Sequence, residues 1–159
     1  MDRLASVRLS RNFDLGLLTA SETAHARGID NRADPAHLGN LRRLAFVLEE
    51  VQALIGHPLV ITSAYRSPAL NAAVGGVPHS RHALGLAADF TCPEFGSPLE
   101  VARRIAGSTI AFDQIIHEYG RWVHLGLAKE GETRRRQELT ICSAAEGYVD
   151  GLVGCAPPA

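Results

Sequence analysis

Apolar residues return every three or four positions from Leu38 through Leu41, Ala45, Leu48 and Val51 to Ile55, which is the spacing of one helix face. Asp34 suits the cap of that helix, Pro35 its first turn and Gly56 its stop, so a core helix is predicted over 34–56. Behind Pro58 the run 59–62 is short, apolar and β-rich, the mark of a buried strand. Ser67-Pro68 opens a short helix that ends at Gly75-Gly76, and a polar loop follows over 76–84. A strand is predicted over 86–91. The capping box Ser97-Pro98-Leu99-Glu100 then starts a helix over 98–107.

Later in the chain the pattern changes to short strand-like runs. Residues 114–118 and 122–127, split by Gly120, read as a hairpin. A further strand is expected over 137–142, after the charged loop 129–136, where the run Arg134-Arg135-Arg136 reads as solvated. Residues 10–33 read as a loop with short helical pieces, among them one capped near Ser21 and stopped at Gly28. The tail from Ala144 is weakly specified. The order implies a single α+β domain over 1–159, with a small, mainly antiparallel sheet flanked by helices. Residues 1–9 and 153–159 are expected to be loose ends.

Composition narrows the class without naming a function. At 46% hydrophobic and 21% charged residues, the 159-residue chain can bury a core as one soluble domain. Sixteen basic side chains against 17 acidic ones give a formal net charge of -1, and the scattered arginines make no stripe. Nucleic acid is therefore not expected as a partner, and a monomer is. No apolar run reaches about 18 residues, so no integral membrane segment is expected. The start Met1-Asp2-Arg3-Leu4-Ala5 lacks an apolar signal region, which implies cytoplasmic synthesis. Cys92, Cys142 and Cys155 make no metal-knuckle spacing, and their odd number favours three reduced thiols, with a Cys142–Cys155 pair open only if the tail folds back.

The chemistry concentrates in Ser80-Arg81-His82-Ala83-Leu84-Gly85-Leu86-Ala87-Ala88-Asp89. His82 and Asp89 are metal-ligand types placed where a loop enters a strand, and His124 in the run Trp122-Val123-His124 offers a third donor. Two histidines and one carboxylate with a fourth position left to water form a catalytic zinc set. Spacing alone leaves open that these are ordinary hydrogen-bonded residues.

The run Ile61-Thr62-Ser63-Ala64-Tyr65-Arg66-Ser67-Pro68, followed by Ser80-x-His82-x6-Asp89 and the late Trp122-x-His124, resembles the zinc D-Ala-D-Ala carboxypeptidase family. That family includes phage endolysins and shares the Hedgehog/DD-peptidase fold. The likeness extends over about residues 9–152, through segments such as Phe112-Asp113-Gln114-Ile115-Ile116. The resemblance implies one Zn2+ held by His82, Asp89 and His124. It implies peptidoglycan stem peptides as substrate, cut by a carboxypeptidase or an endopeptidase, with the site of action in the periplasm or cell wall. It places Arg66, Ser80, Tyr65 and Trp122 on the substrate side, with Arg66 also steadying developing negative charge.

Relatives carry an acid three residues before the last histidine, where this chain has Arg121. Glu118 is the nearest upstream acid. It shares a face with His124 if the hairpin loop is Tyr119-Gly120-Arg121, and points away if the loop is Gly120-Arg121 alone. Arg121 also keeps open a second reading, a zinc-containing peptide- or wall-binding module without turnover.

Overall fold

The computed structural model describes residues 7–157. Its secondary structure is α+β, with five α-helices and six strands among the described residues. The strands form one sheet in the order β1-β2-β4-β3-β5-β6. They span Val60–Ser63 (β1), Ala87–Thr91 (β2), Gln114–Glu118 (β3), Trp122–Gly126 (β4), Gln137–Ile141 (β5) and Tyr148–Asp150 (β6). β3 pairs antiparallel with β4 and parallel with β5, and β5 pairs antiparallel with β6. The chain divides into two compact units, Met1–Glu49 with Ile61–Ala88 and Glu50–Val60 with Asp89–Ala159.

In the first unit, α1 (Leu15–Thr19) is capped by Asp14, and α2 (Glu22–Arg27) by Ser21. Gly28 ends α2 with φ at 64°, a conformation in which a side chain would be strained. A 3₁₀ turn over Pro35–His37, capped by Asp34, leads into α3 (Leu38–Ile55). Leu41, Leu44, Ala45 and Leu48 of this helix are fully buried. Each buried leucine stabilises the fold by roughly 1.5–3 kcal/mol, so the stripe read from the sequence is a main source of this core. Ser67 caps α4 (Pro68–Ala73). Residues 7–9, expected to be loose, are tied down: the Leu15 N–H donates to the Val7 carbonyl, and Leu9 is buried. The Glu49 carboxylate adds a clamp by accepting from the Ser10 hydroxyl and from the Asn12 backbone and side chain.

In the second unit, α5 (Pro98–Ala106) starts at the expected capping box, with Ser97 and Glu100 each accepting from the other's backbone N–H. Val101, Ala102, Ile105, Ile115, Val123 and Leu125 are fully buried. The arginine run is exposed, as expected, and two of its members are also anchored. Arg135 donates from its guanidinium Nε and Nη2 and from its backbone N–H to buried Asp113. Arg136 lies over the Phe112 ring and donates to the carbonyls of Ala106 and Ser108, closing the end of α5.

The expectation of three reduced thiols is overturned. Cys142 and Cys155 form a disulfide, while Cys92 is buried and donates to the Pro58 carbonyl. The reason is non-local. β6 turns the chain back along β5, and the returning tail is held by Thr140, whose hydroxyl donates to the Gly151 carbonyl and accepts from the Val153 N–H. His117 Nδ1 donates to the Val153 carbonyl, and Arg103 to that of Leu152. The stretch 153–155 is thus held, and residues 158–159 lie outside the described ones. The bridge joins residues 13 apart. A loop of that size corresponds to about 3 kcal/mol of stability. The double variant Cys142→Ser with Cys155→Ser should lose that amount in urea unfolding, and added dithiothreitol should lower the wild-type midpoint equally. An unchanged midpoint in both would count against the bridge.

Candidate metal centre

The strand β2 carries Asp89 at its centre, and the turn before it presents His82. Ser80 caps that 3₁₀ turn (Arg81–Leu84), its Oγ accepting from the His82 N–H at 3.2 Å. Gly85 closes the turn with φ at 73°, and a Cβ there would sit 2.9 Å from Leu41 Cγ. Both facts require glycine at the point where the chain passes from turn to strand. His82 is 3% exposed, and its Nδ1–H donates to the Ala64 carbonyl at 2.7 Å. A carbonyl can only accept, so Nδ1 carries the proton and Nε2 is the nitrogen able to ligate a metal.

In the second unit, β3 and β4 meet in the register Ile116↔His124 and Glu118↔Trp122. The loop is therefore Tyr119-Gly120-Arg121, and Glu118, Trp122 and His124 share one face. Tyr119 and Gly120 both have positive φ, and the Arg121 N–H donates to the Glu118 carbonyl across them. His117 lies on the opposite face. His124 Nδ1 is 2.9 Å from Asp89 Oδ1 and 4.0 Å from Glu118 Oε1. These three side chains are 12%, 9% and 16% exposed, so two carboxylates converge on one imidazole nitrogen with little water between them.

His82, Asp89 and His124 form a cluster able to hold a metal ion: each offers one ligand atom, and these atoms all lie within 4.8 Å of one another. The donor chemistry fits a zinc ion. Two imidazoles supply nitrogen donors, Asp89 supplies a hard oxygen, and a dication would offset two poorly solvated carboxylates.

The remaining candidates have different surroundings. Arg66 is half-buried, its Nε donating to Ser63 Oγ and its backbone N–H to the His82 carbonyl. Trp122 stacks obliquely on Tyr119 at 5.5 Å between ring centres, and its Nε1 is buried with no hydrogen-bond partner among the described residues. Tyr65 is 2% exposed and its hydroxyl accepts from the Asp34 N–H. Asp113 and Gln114 are engaged by Arg135 and Gln137. One residue on the site's face escaped the sequence reading. The Tyr148 phenol is raised in pKa, first by partial burial and then by the charges of Glu118, Tyr119 and Asp89.

A family model, peptidase M15, matches residues 11–126. That span takes in the capped turn, β2 and the β3–β4 hairpin, and so all three cluster residues and Glu118. The chain belongs to the peptidase M15 family, whose members are in general zinc-dependent peptidases. No curated protein matches the chain.

Proposed function

We propose that the protein is a zinc metallopeptidase that hydrolyses peptidoglycan stem peptides in the cell wall or periplasm, as a D-Ala-D-Ala carboxypeptidase or an endolysin-type endopeptidase. The observation that carries this reading is the second carboxylate beside the cluster: Glu118 Oε1 faces the same His124 nitrogen as Asp89. Three ligands suffice for a catalytic zinc site, so Glu118 is left for proton transfer. Bound zinc would acidify a water molecule and polarise the scissile carbonyl. Glu118 would accept the proton of the attacking water and return it to the departing amine. The Ala64 carbonyl holds the His82 tautomer that keeps Nε2 available, and Ser80 fixes the turn on which that ring stands. Arg66, steadied by Ser63, would bind a peptide carboxylate or offset charge developing on the carbonyl oxygen. The choice of stem peptides rests on the family resemblance.

A non-catalytic binding module draws support from exposed Arg121, which stands where relatives place their acid. Digestion of purified peptidoglycan and defined stem peptides by zinc-loaded protein, read by mass spectrometry, separates the two readings. Loss of one terminal alanine, abolished by chelator, would establish the carboxypeptidase; new internal fragments would establish the endopeptidase. Zinc-loaded protein that yields no product from any wall type would leave the binding module.

A further inference from the structure

Four residues line up across four neighbouring strands. Trp122 pairs with Glu118 between β4 and β3, Glu118 with Ile141 between β3 and β5, and Ile141 with Tyr148 between β5 and β6. Register partners project from the same face, so Tyr148 stands on the face that carries Glu118 and His124. Two strand spacings, roughly 10 Å, separate the Glu118 and Tyr148 backbones. Ile141 lies between them and is 6% exposed, whereas Tyr148 is 59% exposed. Partial burial first, and then the charges of Glu118, Tyr119 and Asp89, raise the phenol above its ordinary pKa, in keeping with that placement.

The strand that bears Tyr148 is built for something other than a core. All three residues of β6 are exposed, yet Thr140, His117, Arg103 and the Cys142–Cys155 bridge all act to hold the tail that follows it. β6 also lies beyond the residues that match the M15 family, so nothing about Tyr148 is carried over from that match. What remains is an exposed hydrogen-bond donor fixed at a set distance from the proposed base.

We infer that Tyr148 is a substrate-contacting residue: its hydroxyl donates to a backbone carbonyl of a peptide that runs across the sheet from His124 past Glu118. An extended peptide covers roughly 10 Å in three residues. Tyr148 therefore reads the substrate about three residues from the scissile bond, and a dipeptide cannot reach it. This rests on the peptidase reading and deepens it, since it selects extended stem peptides over the free dipeptide.

The test compares wild type, Tyr148→Phe and Tyr148→Ala on a stem pentapeptide and on D-Ala-D-Ala. The ratio of kcat/KM between the two substrates should favour the pentapeptide in wild type and fall roughly tenfold in both variants, mainly through KM. The same ratio in all three proteins, with melting unchanged, would overturn the inference. A second measurement needs no turnover. Trp122 is the only tryptophan in the chain, so its emission in a Glu118→Gln background follows pentapeptide binding. Adding Tyr148→Phe should weaken that binding roughly tenfold, and an unchanged Kd would overturn the inference. Wild type that cleaves nothing would sink the peptidase reading alone, because the titration still decides Tyr148.

Discussion

Replacing Glu118 by glutamine should lower kcat on a stem peptide by about 10²–10⁴-fold, the usual scale of a general base. Zinc binding should persist. Glutamine keeps the size and polarity of the side chain but cannot take a proton at neutral pH. The turn beside it is held by backbone, the Arg121 N–H on the Glu118 carbonyl and the positive φ at Tyr119 and Gly120, so the hairpin should not shift. A group that acts only in the transition state changes kcat and kcat/KM together and leaves KM almost alone. Activity within twofold of wild type, still abolished by chelator, would mean that another group takes the proton.

The second large effect concerns the metal. Wild type should melt higher with zinc than with chelator, because a ligand bound only by the folded state stabilises it; a thousandfold excess over Kd gives about 4 kcal/mol. His124→Ala should lose most of that increment together with turnover. His124 is the residue against which both carboxylates converge, at 2.9 and 4.0 Å. Without it, no imidazole reaches the cluster from β4. The readout is the difference in melting temperature between zinc and chelator, which a loss of packing alone would not remove. An intact zinc increment in His124→Ala would move the metal elsewhere.

Periodicity and capping carried the sequence reading where elements are long or closed by local chemistry. The face from Leu41 to Ile55 on α3, the box at Ser97 and Glu100, and the strands β3 and β4 all follow that rule. The trio His82, Asp89 and His124 was legible through the combined motifs, and the structure brings its donor atoms together. The hairpin register was not legible. It depends on Tyr119 occupying a left-handed conformation with φ at 57°, which a non-glycine residue does not advertise. α1 is five residues long, too short to show a period, and β6 is three exposed residues with no alternation. The disulfide was open to the sequence only as a pairing that a folded-back tail would allow, because it depends on β6, and Tyr148 escaped altogether. The burial of Tyr65 was not legible either, since a polar-tipped ring in a loop motif carries no period.

The register that puts Glu118 beside His124 is a local one. β3 and β4 are joined by three residues, so their pairing costs little loop-closure entropy. The parallel partner costs more, since Gln114 meets Gln137 only across a long connection. β6 and the bridge from Cys142 to Cys155 draw on residues further along still. The proposed base and the histidine beside it are therefore specified within one hairpin, whereas Tyr148 reaches its place only through β5, so a change in β6 or the bridge would alter the proposed grip on long peptides while leaving Glu118 and His124 in register.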